Sequence, residues 1–245
     1  MKMNDLNLPV NVAIRPDGLT AACMDSELNV KIWDLTDPGK VRLIRSITRP
    51  ERDLKRRHKY ISDSRFSRNL SMIAGIEKDT AGGRDRIYTC DVASDRSTYI
   101  TLPVDIVGEL QSLAISPDGT EITAWAQSEK TEPTLSRFDL GTGRFLGTIP
   151  QPGYVGFSYL DYSPDGEFLL FGDYMGHLTI HDIQKGKRVL DVKPGTGPIC
   201  CLVILDDRIR VVSTVSHEEQ VKLFGEGADH MSILRLTDVW VRLRP

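Results

Sequence analysis

The chain has 245 residues, of which 40% are hydrophobic and 27% charged, and its formal net charge is -3 at pH 7. These proportions are those of a globular protein with a buried core and differ from the composition of a disordered chain. The small acidic excess argues against a protein that coats nucleic acid over its whole surface, so we do not expect a nucleic-acid partner.

Cysteine spacing and apolar runs indicate the compartment. The four cysteines, Cys23, Cys90, Cys200 and Cys201, are too sparse for a disulfide scaffold and lack the spacing of a zinc site, so we expect buried, reduced thiols. The longest apolar run, Ile199 to Leu205, is far shorter than the roughly 20 residues of a membrane-spanning helix. The first residues have no secretory-signal pattern. The sequence predicts a cytoplasmic protein with no membrane partner.

A proline–aspartate–glycine motif recurs along the chain. Complete copies are Pro16-Asp17-Gly18, Pro117-Asp118-Gly119 and Pro164-Asp165-Gly166, and weaker copies are centred on Asn69 and Asp207. Because proline presets φ and glycine accepts a positive φ, each copy predicts a tight turn between two strands. Successive copies lie 42 to 52 residues apart, and propeller blades repeat at roughly 40 to 50 residues.

A second landmark keeps the same spacing. It comprises Trp33-Asp34, Cys90-Asp91, Phe138-Asp139 and His181-Asp182, with Phe224-Gly225 in the last copy. Alternating apolar residues precede it, such as Leu178 and Ile180 in the fourth copy and Val221 and Leu223 in the fifth. Alternation of this kind is typical of a strand with one buried face. Each copy therefore predicts four antiparallel strands and no helix.

These repeats predict an all-β fold: a β-propeller of about five four-stranded blades in a single domain, residues 1–245. We expect the blades at residues 8–48, 58–104, 108–150, 155–193 and 197–237. A β-sandwich or barrel is the alternative, because short strands at regular spacing suit those folds too. The constant four-strand period favours the propeller.

Residues 8–236 resemble the WD-repeat family, most closely where Pro16-Asp17-Gly18 is followed by Val30-Lys31-Ile32-Trp33-Asp34-Leu35. The resemblance implies blades held by a hydrogen-bonded set of histidine, aspartate, serine or threonine, and tryptophan. Most of that set is missing here, so the chain resembles a degenerate member. The turn-aspartate position reads Glu27, Arg84, Glu132, Met175 and Glu218, Trp33 alone supplies the tryptophan, and His58 is the single candidate for the histidine.

The resemblance also raises the question of ring closure. Members of the family usually have seven or eight blades, closed by strands from both termini, and the stretch from Val239 to Leu243 is a candidate for an extra strand. Five blades either close by themselves or form an incomplete ring, and we favour an incomplete or atypical ring. An open ring would expose apolar residues such as Val30, Ile32, Val221 and Leu223 and would favour self-association.

One segment is strongly basic. Residues 45–68 contain nine Arg or Lys against three Asp or Glu, a local charge of +6, so the rest of the chain carries -9. A solvated connection is the simpler interpretation; the functional one is a contact for an acidic protein surface, a phosphorylated segment or RNA. Tyr60 is the only aromatic residue directly beside the core of this run, residues 49–59, which disfavours RNA. The candidate partner-binding residues are Arg52, Lys55, Arg56, Arg57 and Lys59.

Local catalytic motifs are missing from the sequence. It has no phosphate-binding loop and no nucleophile elbow. His177 and His181 would lie about 13 Å apart on a strand, too far to share a metal. We therefore expect no metal and no cofactor, and interpret the chain as a non-catalytic protein–protein interaction scaffold that binds partners through loops on one face. The alternative is a hydrolase-like or lactonase-like propeller enzyme whose central-channel site, built from distant loops, leaves no local motif.

Overall fold

The computed structural model describes residues 9–25, 29–48, 59–79, 83–103, 108–127, 134–149, 157–204, 208–214 and 234–240. All the elements in these ranges are β-strands, and they form four four-stranded antiparallel sheets and one three-stranded sheet. The predicted all-β class is confirmed, and the repeated sheets are compatible with propeller blades. The chain divides into two compact units, Met1–Pro150 and Gln151–Pro245.

The first unit contains three sheets, each with its strands in chain order. Sheet 1 consists of β1 (Pro9–Ile14), β2 (Thr20–Asp25), β3 (Val30–Asp34) and β4 (Arg42–Ile47). Sheet 2 consists of β5 (Lys59–Phe66), β6 (Met72–Asp79), β7 (Arg86–Asp91) and β8 (Arg96–Thr101). Sheet 3 consists of β9 (Glu109–Ile115), β10 (Glu121–Gln127), β11 (Thr134–Asp139) and β12 (Phe145–Ile149). Neighbouring strands are antiparallel throughout, as a chain of hairpins requires.

The second unit contains two sheets. Sheet 4 consists of β13 (Phe157–Tyr162), β14 (Phe168–Asp173), β15 (Leu178–Asp182) and β16 (Lys187–Val192). Sheet 5 consists of β17 (Ile199–Ile204), β18 (Arg208–Thr214) and β19 (Leu234–Trp240), in that order. The sequence predicted the third strand of this sheet around Val221 and Leu223. Those two residues lie outside the described ranges, and the position beside β18 is taken by β19.

The turns predicted from the first landmark are present. Gly18, Gly119 and Gly166 adopt φ values of +73°, +74° and +76°, which explains why glycine is placed there. In the second copy Leu70 takes the glycine position at φ +59° and is buried. The turn therefore keeps its shape even where the sequence motif is weak.

Apolar side chains between neighbouring sheets form the cores. Sheets 1 and 2 enclose Met24, Val30 and Ile73 among others, and sheets 2 and 3 enclose a second cluster that includes Leu113 and Phe138. In the second unit, sheets 4 and 5 enclose a third cluster around residues such as Leu170, Ile180 and Val211. Fully burying one such aliphatic side chain stabilises the fold by about 1.5–3 kcal/mol.

The apolar residues that sheet 1 exposes differ from the sequence-based expectation. Val30 and Ile32 are not on an exposed face, because they point into the core between sheets 1 and 2. The apolar residues that sheet 1 exposes are instead Val12 (66%) and Ile14 (61%) on β1 and Leu43 (47%) and Ile44 (55%) on β4. No helix within the described ranges is long and apolar enough to cross a membrane.

The cysteines are also only partly as expected. Cys23 and Cys90 are buried, and burial raises the pKa of the Cys90 thiol to about 11. Cys200 is exposed and Cys201 half-buried, so the expectation of buried thiols is wrong for Cys200. The reason lies in an irregularity of the strand, since the register shifts between Ile199 and Cys201. The extra residue, Cys200, is left exposed, while Ile199 and Leu202 both face the core of the second unit.

Candidate functional site

The residues predicted to bind a partner belong to the connection between sheets 1 and 2. Arg52, Lys55, Arg56 and Arg57 lie outside the described ranges. Lys59 is the first residue of β5, where its backbone lies opposite Asp79. Their role as a docking loop stays a prediction.

The two ends of each sheet differ in their chemistry. In a four-stranded antiparallel sheet with strands in chain order, the first and third turns lie at one end. The second turn and the connection to the next sheet lie at the other. We call the first the aspartate end, after the residues that stabilise its turns, and the second the variable end.

At the aspartate end, the last residue of the third strand in sheets 1 to 4 is an aspartate. These residues are Asp34, Asp91, Asp139 and Asp182. Asp139 Oδ1 accepts hydrogen bonds from the Thr142 amide at 2.8 Å and the Thr142 hydroxyl at 2.7 Å. Asp34 and Thr36, and Asp91 and Ser94, repeat this pattern. The second landmark of the sequence is therefore a turn-stabilising carboxylate.

These hydrogen bonds favour the charged carboxylate. The hydroxyl of Thr36 lowers the pKa of Asp34, and that of Thr142 lowers the pKa of Asp139. In the fourth sheet the Lys185 ammonium, 2.7 Å from Asp182 Oδ2, lowers the pKa of Asp182. The turns at this end are thus stabilised by ionised aspartates.

At the variable end of sheet 4, a buried aspartate stabilises the turn between β14 and β15. Asp173 Oδ1 accepts hydrogen bonds from the amides of Met175 at 2.8 Å and His177 at 2.7 Å. Its other oxygen lies 2.8 Å from Nδ1 of His177. The Asp173 side chain is only 4% exposed. These three contacts to Asp173 hold the backbone of the turn in place.

A second contact holds this turn against the chain that leads to β17. Gly176 has φ +85°, and its carbonyl accepts a hydrogen bond from the Gly195 amide at 3.3 Å. The two backbones lie so close that a Cβ on Gly176 would collide with the Gly195 carbonyl. Gly195 in turn lies against Ser213 of β18. The turn is therefore anchored to sheet 5 as well as to its own sheet.

The tip of this rigid turn is apolar and exposed. Tyr174 is 55% exposed and Met175 58% exposed. Both side chains follow directly after the buried β14, whose six residues are all buried. The turn thus presents an aromatic ring and a thioether to solvent on a fixed backbone.

In sheet 1 an aspartate at the end of the second strand makes the same pair of contacts with the residue four positions later. Asp25, which is 1% exposed, accepts hydrogen bonds from the amide of Asn29 at 2.9 Å and from its side-chain nitrogen at 3.0 Å. The comparison with the WD-repeat family directed attention to Glu27 and Met175, two residues too late. The signal that identifies both turns is an aspartate at the end of the second strand, four residues before an Asn or His.

The first strands of sheets 1 to 3 are linked by polar side chains. Asp63 Oδ2 accepts hydrogen bonds from the Ser112 hydroxyl at 3.0 Å and the Leu113 amide at 3.2 Å, which joins β5 to β9. Asn11 donates to the carbonyl of Ser64 at 2.6 Å, which joins β1 to β5. The sequence analysis missed these links. Their signal is positional, since Asn11, Asp63 and Ser112 each lie four residues before the first turn residue of their sheet.

A cleft of about 110 Å³ opens beside these links. It is lined by Asn11, Ile61, Ser62, Asp63, Ser64 and Arg65. The Arg65 guanidinium contacts Asp63 at 2.6 Å. The cleft therefore contains an amide, a hydroxyl, a carboxylate and a guanidinium within the first unit.

Other charged residues of sheet 2 form buried pairs. Lys78 contacts Asp85 at 2.9 Å, and Asp85 also accepts a hydrogen bond from the amide of Leu110 in sheet 3. Arg86 contacts Glu77, and its guanidinium stacks 4.0 Å above the ring of Tyr99. These ion pairs join neighbouring strands, and Asp85 also joins sheet 2 to sheet 3, so their role is structural.

The histidines of sheet 4 have separate environments. His177 contacts Asp173, and His181 is buried in β15, where burial lowers its pKa. Within the described ranges, no three His, Cys, Asp or Glu side chains lie close enough together to hold a metal ion.

No protein-family model matches the chain, and no curated protein is significantly similar to it.

Proposed function

We propose that the chain is a degenerate propeller of the WD-repeat type that acts as a non-catalytic scaffold for protein–protein interactions in the cytoplasm. The repeated four-stranded sheets with constant turns support the propeller, and five blades in an incomplete ring are part of the proposal. The observation that best supports the scaffold function is the rigid turn that exposes Tyr174 and Met175.

Exposed apolar tips of this kind suit binding. Tyrosine and methionine are enriched at protein interfaces, and tyrosine is a frequent hot-spot residue. A turn already fixed by Asp173 and by the Gly176–Gly195 contact loses little conformational entropy on association. The partner that fits has an apolar pocket for the two side chains and a hydrogen-bond acceptor for the tyrosine hydroxyl.

The basic segment is the proposed second contact. Its charge of +6 over residues 45–68 attracts an acidic or phosphorylated partner surface. Exposed charges are screened beyond about 10 Å at 0.1 M salt, so this contribution weakens as salt rises. The apolar turn contributes a part of the affinity that depends much less on salt.

The experiment is affinity purification from isotope-labelled source cells, comparing wild type with the double variant Tyr174→Ser and Met175→Ser. The matched control is Val189→Ser, which alters an exposed apolar residue (43%) on strand β16 of the same unit. We expect the double variant to lose proteins that wild type and control both recover. Purified candidates are then titrated against all three proteins to show direct binding.

A second arm tests the basic segment by reversing the charge at Arg52, Lys55, Arg56 and Arg57. We expect little change in stability, within about ±0.5 kcal/mol for each exposed substitution. We also expect loss of the salt-dependent part of binding. If the turn variant and the reversed segment both bind the same partners as wild type at two salt concentrations, the proposed docking sites are wrong.

A further inference from the structure

The cleft between β1 and β5 offers several hydrogen-bond donors at once. Arg65 uses Nη1 for its bonds to Asp63 at 2.6 Å and to the Ser64 carbonyl at 3.0 Å. Its Nε and Nη2 donate to nothing within the described ranges. The Ser62 hydroxyl is exposed at the edge, and the Asn11 amide has a second hydrogen beyond the one given to Ser64.

The carboxylate in the cleft is already neutralised. Asp63 Oδ1 accepts from Arg65 and from the Ser64 amide at 2.8 Å, and Oδ2 accepts from Ser112 and Leu113. Its lone pairs are therefore used, and its main effect on a ligand is to orient the guanidinium. The segment that contains β5 is the one with a local charge of +6. The lining itself sums to zero charge, one arginine against one aspartate, so the preference for an anion comes from the remaining guanidinium donors and from the basic segment around β5.

We propose that this cleft binds a single phosphoryl group, held by Nε and Nη2 of Arg65 with Ser62 and Asn11 as further donors. Arginine matches phosphate oxygens in this two-nitrogen geometry. The volume of about 110 Å³ equals the space of three to four liquid water molecules at roughly 30 Å³ each. That space holds a phosphoryl group, and the remainder of any larger ligand would have to extend into solvent. The site does not depend on the Tyr174–Met175 turn, which belongs to the other unit.

The test titrates inorganic phosphate, and separately O-phosphoserine, into the full chain by calorimetry. The main variant is Ser62→Asp, which adds a negative charge at an exposed cleft position without touching the Asp63 links. Its control is Ser97→Asp, also an exposed serine, on β8 at the opposite edge of the same sheet. A second variant, Arg65→Gln, removes the guanidinium, and circular dichroism checks its fold.

We expect saturable binding to wild type and to Ser97→Asp, and affinity at least about tenfold lower for Ser62→Asp, a loss of roughly 1.4 kcal/mol. Arg65→Gln should lose a similar amount. Tighter binding of O-phosphoserine than of phosphate would identify a phosphorylated side chain as the natural ligand, and tighter binding of phosphate would identify the free anion. The proposal is overturned if wild type shows no saturable binding up to about 10 mM, or if Ser62→Asp binds as well as wild type.

Discussion

The turns at the aspartate end and at the variable end both join antiparallel strands, but different contacts stabilise them. At the aspartate end, a side-chain oxygen binds a backbone amide two or three residues later; it belongs to a carboxylate in Asp34 and Asp139 and to an amide in Asn69. At the variable end of sheet 4, Asp173 stabilises a turn that also packs against Gly195, 19 residues beyond Gly176.

This difference bears on which turns define the fold and which are suited to binding. A turn stabilised by its own residues can be repeated sheet after sheet, and its sequence stays similar because the local geometry demands it. A turn anchored by distant contacts is specific to one place in the chain. Its tip is then free to carry residues chosen for recognition, such as Tyr174 and Met175. The repeated end specifies the architecture, and the variable end is where we expect binding.

The largest difference between the two ends should appear on replacing glycine. Gly176→Ala forces a positive φ on alanine and drives its Cβ into the Gly195 carbonyl, so we expect a loss of about 3 kcal/mol or more in the free energy of unfolding. Gly18→Ala has a similar φ of +73° but open space around its Cβ, and should lose only about 1 kcal/mol. Urea denaturation of both variants measures this, and equal losses would contradict the anchored turn.

The next largest effect concerns the links between first strands. Asp63→Ala leaves Arg65 without its carboxylate and leaves the Ser112 hydroxyl and Leu113 amide without an acceptor, so we expect a loss of about 3 kcal/mol. Asp118→Ala, which removes a carboxylate that serves only its own turn, should cost clearly less. Denaturant titration of the two variants side by side tests whether Asp63→Ala loses more free energy of unfolding than Asp118→Ala.

Acid should affect the aspartate end as a group. The pKa values of Asp34, Asp91, Asp139 and Asp182 are lowered in the folded protein, so the unfolded chain binds protons more readily. Their stabilisation is complete above the ordinary aspartate value near 3.9. It is lost as the pH falls through their lowered values. Thermal unfolding between pH 7 and pH 2 should show a small fall of the midpoint below about pH 6.5, because the lowered pKa of buried His181 makes the unfolded chain bind a proton first. A steeper fall should follow below about pH 5, and Asp139→Asn should make that second fall shallower.

The smallest effect is expected at Asp95, in the third turn of sheet 2. Its φ of +57° is one that glycine adopts without strain. Asp95→Gly should therefore change the free energy of unfolding by no more than about 0.5 kcal/mol, because relief of strain offsets the added entropy of the unfolded chain. A decrease of more than about 1 kcal/mol in the free energy of unfolding would mean that the Asp95 side chain itself stabilises the turn.

The sequence predicted the structure where hydrogen bonds are local. The turn at Gly119 and the carboxylate of Asp139 were both identified because their partners lie within five residues. In sheet 5 the strand beside β18 is β19 (Leu234–Trp240), and the predicted strand around Val221 and Leu223 lies outside the described residues. The link between Asp63 and Ser112 spans 49 residues, and nothing near either residue marks its partner.

The candidate binding site, too, could be predicted from the sequence only in part. The basic segment was visible as a run of charge, whereas the exposed tip at Tyr174 and Met175 was not, because two apolar residues between strands look like any other turn. Only the burial of β14 up to Asp173 and the exposure directly after it distinguish this turn. Such a contrast depends on tertiary packing, which a single sequence does not specify.

The most direct test of the scaffold proposal is the affinity of a purified partner for three proteins: wild type, the Tyr174→Ser and Met175→Ser double variant, and Val189→Ser. All three should share the same unfolding midpoint, because the substituted side chains are exposed. We expect the double variant to bind at least about 30-fold more weakly, equivalent to about 2 kcal/mol for one hot spot, with Val189→Ser unchanged. Equal affinity for all three proteins would contradict the account.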